Sequence, residues 1–223
     1  MRKQVRRQLA VVAATLVTMA PLAARADYSA AVLADNPLGY WSFNDGDSVV
    51  PNQGGGGTAL DGQVIGGQFV SAPSFQLVDG RTVSGLGAGN RAYLVGENLD
   101  EYMAVEESIL SDLGEFTLEA WVNPGVRDGN RVGLFGQNDA VEFGFISPNQ
   151  IQLWTPAGQT LNYVIDPVNQ IPEDTWFHMA AVANGNNIRL FINGEPTSAG
   201  ASYGNGDFNF NIGGGGIYDA TGN

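Results

Sequence analysis

Cysteine is absent from all 223 residues. No disulfide, thiolate metal site or cysteine nucleophile can exist, so the fold has to be held by its core. Histidine occurs once, at His178. That excludes a His-Glu-x-x-His zinc site, and any Ser-His-Asp arrangement would have to use this one imidazole. Lysine occurs only at Lys3, and the basic residues after Ala26 are Arg81, Arg91, Arg127, Arg131 and Arg189. These five face all 23 acidic residues, leaving a net charge of −18 beyond Ala26. Such a surface repels nucleic-acid phosphates and anionic lipid, so neither is an expected partner. It suits cations, neutral glycans or a salty exterior, and acidity of this kind also keeps an exported protein soluble. Beyond the first 26 residues no stretch approaches the roughly 18 unbroken apolar residues of a membrane span, so no membrane insertion of the mature chain is expected.

Residues 1–26 have the three parts of a secretory signal peptide. Arg2, Lys3, Arg6 and Arg7 form a positive start, Leu9 to Leu22 is largely apolar, and Ala24-Arg25-Ala26 is a small-x-small cleavage site. Cleavage is expected between Ala26 and Asp27, with a secreted or cell-surface product. Residues 27–223 are long enough for one β domain with a single core.

Glycine is abundant, at 31 residues, and clusters between apolar runs, most densely at Gly54–Gly57 and Gly213–Gly216. The runs between are short and β-branched or aromatic. They predict strands over 38–43, 102–105, 116–122, 132–135, 141–146, 151–154, 161–165, 176–183, 188–192 and 208–212. Many short strands between Gly/Asn/Asp/Pro turns describe a sandwich or barrel. Helical patterning is confined to a turn or two at Tyr28–Ala34 and Ser108–Leu113.

Strand side chains alternate with period two. Phe116, Leu118, Ala120 and Val122 therefore share a face opposite Thr117, Glu119 and Trp121. Ile188, Leu190 and Ile192 share a face opposite Arg189 and Phe191, and Val141, Phe143 and Phe145 share one opposite Glu142. The run Trp176 to Ala183 is apolar on both faces, which predicts a central, covered strand. It joins Ile188–Ile192 through Asn184-Gly185-Asn186-Asn187, residues that tolerate the positive φ of a tight hairpin turn.

Four segments in this order carry a resemblance. They are Tyr28 to Phe43 (YSAAVLADNPLGYWSF), Phe116 to Pro124 (FTLEAWVNP), Trp176 to Gly194 (WFHMAAVANGNNIRLFING) and Phe210 to Gly215 (FNIGGG). Together they resemble the laminin G-like, concanavalin A-like jelly-roll family. The resemblance implies an all-β fold, an antiparallel two-sheet jelly-roll β-sandwich. The family continues past the last segment with one further strand, so the expectation is a jelly roll short of its C-terminal closing strand.

The resemblance implies a secreted recognition domain rather than an enzyme. Its favoured partner is an extracellular glycan; the alternatives are a protein-adhesion module of a larger surface protein and a degenerate or truncated glycoside hydrolase. A hydrolase needs two carboxylates about 5 to 9.5 Å apart across a cleft. The retaining glucanases of this fold place theirs on one strand as Glu-x-Asp-x-x-Glu, which does not occur here. Glu115 and Glu119 are four apart at the start and middle of one strand, and the adjacent Glu106 and Glu107 point to opposite faces.

Related jelly rolls bind Ca²⁺ at a sheet rim, drawing oxygens from loop Asp, Asn and carbonyls. The candidate loops are Gln137-Asn138-Asp139, Asp45-Gly46-Asp47 and Asp219–Asn223, with Asp139, Asn138 and Asp219 as first-choice ligands; the alternative is ordinary Asx turns. Sugars present apolar C–H faces that stack on exposed rings. Trp154 and Gln152 lie opposite Ile151 and Leu153, so Trp154, with Gln152 and Tyr218, is the candidate glycan platform; packing is the competing role for Trp154. Tyr163 and Tyr203 lie in or near loops, whereas Trp41, Trp121 and Trp176 suit the core.

Overall fold

The computed structural model describes residues 28–72, 75–77, 80–83, 86, 89–96, 100–111, 113–127, 129, 131–156, 160–166, 170–185, 187–200, 206 and 208–214. The signal-peptide segment, Tyr203, Tyr218 and Asp219 lie outside these residues.

The described chain opens with one short helix, α1 (Tyr28–Ala34). The strands then follow as β1 (Val49–Val50), β2 (Gly62–Ile65), β3 (Gln68–Ser71), β4 (Phe75–Gln76), β5 (Thr82–Val83), β6 (Arg91–Leu94), β7 (Tyr102–Val105) and β8 (Glu115–Val122). The second half holds β9 (Val132–Gln137), β10 (Val141–Ser147), β11 (Gln150–Trp154), β12 (Leu161–Val164), β13 (Phe177–Asn184), β14 (Asn187–Ile192), β15 (Glu195–Gly200) and β16 (Phe210–Gly213). A large sheet of eight strands runs β1-β2-β7-β16-β9-β10-β11-β12, and a small sheet of four runs β15-β14-β13-β8. Two further hairpin-sized pairs, β3-β6 and β4-β5, sit apart from them. Every pairing is antiparallel. This is the two-sheet sandwich that the alternation implies. No helix among the described residues is long and apolar enough to cross a membrane.

Alternating side chains from the two sheets build one core. Met103, Val105, Phe135, Val141, Phe143, Phe145, Ile151 and Leu153 from the large sheet meet Phe177, Met179, Ala181, Ile188, Leu190 and Ile192 from the small one. Phe116, Leu118, Ala120 and Val122 point the same way but are only partly buried, because β8 is an edge strand. The central strand is β13, as its two apolar faces require, with Phe177, Met179 and Ala181 inaccessible to solvent. Asn184 pairs with Asn187 across the predicted turn, and Gly185 takes a φ of 62° there.

Some expectations differ from the structure. Residues 38–43 are not a strand: the Tyr40 N–H bonds to Asn52 Oδ1 at 2.8 Å, a side chain instead of a neighbouring strand. Trp41 in that segment does reach the core, stacked on Phe210 at 5.6 Å. Residues 108–111 form turns, not a helix, and the last predicted strand begins at Phe210 rather than Phe208. Strand β15 had no apolar alternation to reveal it, since Glu195, Pro196 and Thr197 are all exposed. Trp121 is not between the sheets but on the outer face of the small one, where α1 covers it through Tyr28.

Candidate carbohydrate-binding face

The outer face of the large sheet follows from register. Across it, Gln63 pairs with Ala104, Ala104 with Asn211, Asn211 with Gly136, Gly136 with Glu142 and Glu142 with Trp154. The next row pairs Gly144 with Gln152 and Gln152 with Asn162. Residues paired directly share a face, so these rows form one surface opposite the core. Its chemistry is dominated by amides, with one indole and one carboxylate.

The surface is covered at its centre and open at both ends, with Gln63 exposed on β2. Asn211 is 5 % exposed and Glu142 fully buried, whereas Trp154 and Gln152 are partly exposed and Asn162 is exposed. The accessible strip that carries an aromatic ring is Trp154, Gln152 and Asn162, on the last two strands of the sheet. Gln152 Nε2 donates to Asn162 Oδ1 at 3.0 Å, which ties the two amides together on the face that also carries the indole. Trp154 and Gln152 are therefore brought together on the face that alternation assigns them.

The β9–β10 turn behaves differently from a free rim loop. Gln137 is the last residue of β9 and fully buried. Its Oε1 accepts the Leu110 N–H at 2.8 Å, and its Nε2 donates to Ser111 Oγ at 2.8 Å and to the Gly206 carbonyl at 2.6 Å. Asn138 is 6 % exposed. Asp139 occupies the positive-φ position of the turn, at 58°, and its N–H donates to Glu142 Oε1 at 3.1 Å. Period two placed Glu142 outside the core; the structure adds that it is sealed there and braces the turn. Among the described residues no three His, Cys, Asp or Glu side chains gather as a metal group. A Ca²⁺ site takes six to eight oxygens. Here it would have Asp139 as its carboxylate and would depend on carbonyls and water for the rest. In the second candidate loop, Asp47 Oδ1 accepts the Ser48 N–H at 2.7 Å, a local turn contact.

The sole histidine lies on the other sheet. His178 Nε2 is 3.3 Å from Glu119 Oε2, and its ring packs on Trp121 with centroids 5.0 Å apart. The hydrogen bond from His178 is the main reason the Glu119 carboxyl sits below its ordinary range. Trp121 Nε1 donates to the Tyr28 hydroxyl at 2.8 Å, and burial pushes that phenol up. This cluster fixes α1 to the sandwich. Gly200-Ala201-Ser202-Tyr203-Gly204 has Gly-x-Ser-x-Gly spacing. Ser202 is outside the described residues, and the motif's strand-turn-helix setting belongs to α/β folds, not to a sandwich of antiparallel strands.

Residues 96–221 match the family model described as the concanavalin A-like lectin/glucanases superfamily, and the chain belongs to that family. No curated protein sequence matches the chain. Among solved structures it is similar to domain 4 of AbnA, a GH43 extracellular arabinanase from Geobacillus stearothermophilus, in complex with arabinotriose. The identity is 15 %, the TM-score 0.51, and the match covers 78 % of this chain and 82 % of that one. It is also similar to the botulinum neurotoxin serotype G binding domain, at 13 % identity and a TM-score of 0.54, over 79 % of this chain and 43 % of that one. At these identities the likeness is one of fold.

Proposed function

We propose that this chain is an exported, non-catalytic domain that binds extracellular carbohydrate on the outer face of its large sheet. The observation that carries the reading is the accessible strip of Trp154, Gln152 and Asn162. An indole offers a flat apolar platform to the C–H face of a sugar, and adjacent amides offer donors and acceptors to its hydroxyls. The strip sits on two β-strands and is braced by its own hydrogen bond, so little ordering is needed on binding. The arabinotriose complex of the similar arabinanase domain supports a sugar ligand for this fold. Export rests on the leader at residues 1–26.

Turnover of the ligand is disfavoured by a count. Glu142 is the sole carboxylate in the eight strands of the large sheet, and it is buried. Two carboxylates facing one cleft are the minimum for glycoside hydrolysis by the usual routes. Glu115 and Glu119 lie on the small sheet, where Glu119 is engaged by His178.

The test is an array of immobilised neutral glycans probed with wild type and Trp154→Ala. Retention by wild type and loss in a variant that still melts cooperatively supports the reading. A variant that retains glycans as wild type does removes Trp154 from it. Release of reducing sugar by the wild type would show an enzyme instead.

A further inference from the structure

We propose that the open edge of the sandwich, between β12 and the β14–β15 hairpin, is a second glycan subsite that takes the continuation of a neutral oligosaccharide chain. A cleft of about 540 Å³ lies there. That is within the roughly 300–1,000 Å³ typical of small-molecule sites. One wall carries Asn162 and Tyr163; the other carries Asn193, Glu195 and Thr197, with Pro196 among them. Residues bearing amide, phenol and carboxylate groups thus line it from both sheets, while the Thr197 hydroxyl donates to the Leu190 carbonyl at 3.2 Å. That is the mixture of donors and acceptors a polyhydroxylated ligand needs, and Pro196 adds an apolar contact for a ring face.

The walls are rigid. Asn193 and Gly194 take φ of 51° and 82° between the paired Ile192 and Glu195, the geometry of a two-residue hairpin turn. The turn is locked to β13 by a reciprocal pair: the His178 N–H donates to Asn193 Oδ1 at 2.9 Å, and the Asn193 N–H donates to the His178 carbonyl at 2.8 Å. On the other side Gln152 braces Asn162. A cleft with fixed walls loses little freedom when it is filled.

Charge selects the ligand. Among the described residues lining the cleft Glu195 is the one ionised group, Asp166 lies near enough to Tyr163 to act on its phenol, and the chain beyond Ala26 carries a net charge of −18. Uronic and sulfated sugars are repelled, whereas a neutral sugar can donate hydroxyl protons to the carboxylate. Asn162 is shared between the strip beside Trp154 and the cleft. A chain laid on Trp154 and passing over Gln152 therefore arrives at the cleft. This continuity rests on the reading of Trp154 as a platform, while the cleft's own chemistry does not.

The experiment is titration calorimetry of the chain lacking its leader with neutral arabino-, xylo-, gluco- and galacto-oligosaccharides, from disaccharides upward. Affinity is expected to climb with chain length for the sugars that bind. The double variant Glu195→Gln/Tyr163→Phe removes a charged acceptor and a hydroxyl from the cleft without disturbing the core. It should lose about tenfold in affinity for the longest chains, the scale of a hydrogen bond or two, and nothing for disaccharides. A double variant equal to wild type at every length overturns the subsite, and so does a wild-type affinity independent of length. Trp154→Ala separates the two readings. If it abolishes binding while the double variant does not, the platform stands and the cleft falls. If it has no effect while the double variant weakens binding, the cleft stands and the platform falls. A wild type that binds no member of the panel overturns both.

Discussion

Glu119 Oε2 lies 3.3 Å from His178 Nε2, joining the edge strand β8 to the central strand β13 on the outer face of the small sheet. The bond lowers the Glu119 pKa from its ordinary 4.5, chiefly through the His178 hydrogen bond and against burial, which raises it. A carboxyl lowered on folding adds stability above its unfolded pKa, and that increment is lost as pH falls through the folded value. The stability difference between wild type and Glu119→Gln is therefore expected to be present near neutral pH and to close as pH falls below 4.5. Since the Glu119 side chain is 47 % exposed, solvent screening limits the increment to about 1 kcal/mol or less. Urea midpoints taken across this range read it, and a difference that stays constant into acid would mean the pair contributes nothing.

Tyr28 ties the start of the described chain to the same cluster. Its hydroxyl accepts from Trp121 Nε1, and none of the residues of α1 is buried. Tyr28→Phe keeps the ring and deletes the acceptor, so the indole N–H loses its partner. The expected cost is about 1 kcal/mol, the usual net value of one hydrogen bond. If the bond persists in solution, hydrogen exchange should show the indole proton of Trp121 better protected in wild type than in Tyr28→Phe. Equal protection in the two would show that α1 is not docked there.

Leu190 and Leu118 both point between the sheets, but at different depths. Leu190 is fully buried on β14, while Leu118 is partly buried on the edge strand β8. Leu190→Ala is expected to cost about 2–5 kcal/mol and Leu118→Ala less, because a site at the rim collapses or hydrates more easily than one at the centre. Denaturant midpoints that rank the two variants in reverse would mean that the edge, not the centre, carries the packing.

The hairpin from Phe177 to Ile192 was legible because three independent signals agree there: alternation, turn residues and an apolar run of strand length. The same signals located β7 to β12 to within a residue or two. Strand β15 was illegible because Pro196 and its polar neighbours carry no pattern, and its place is set by pairing with β14. In the site, parity alone put Trp154 and Gln152 on one face. It was silent about what covers that face, so neither the burial of Glu142 nor the exposure of Asn162 was visible. It also missed the edge cleft, whose walls are assembled by residues some thirty positions apart on different sheets, a product of topology rather than of local spacing. Tyr218 and Asp219 lie outside the described residues.

Gly136 lies within the amide-rich face. It stands in register between Asn211 and Glu142 with a φ of 145°, just beyond a bulge that sets Phe143 opposite Phe135 and Gly144 opposite Gly133. A Cβ added there would lie 2.2 Å from the Val141 carbonyl oxygen, a backbone atom of the neighbouring strand. Gly136→Ala therefore combines a strained dihedral with a clash that cannot relax by side-chain rotation, and about 2–4 kcal/mol of destabilisation is expected. A thermal midpoint within error of wild type would refute the tight register between β9 and β10.

Calcium is the remaining expectation, and the β9–β10 turn is where it can be decided. Asp139 is held at a positive φ at the end of the hairpin, half-buried, with its own N–H on Glu142. One carboxylate gives a weak site unless carbonyls and water complete the shell. If Ca²⁺ binds there, it stabilises the folded chain by mass action, so the thermal midpoint rises with added Ca²⁺ and falls with a chelator. Asp139→Ala should remove that dependence, and the chelated variant should be less stable than chelated wild type by about 1 kcal/mol, because alanine tolerates the positive φ less well than aspartate. Wild type with the same midpoint in excess Ca²⁺ and in chelator would exclude the ion. A dependence that survives in Asp139→Ala would move the site away from this turn.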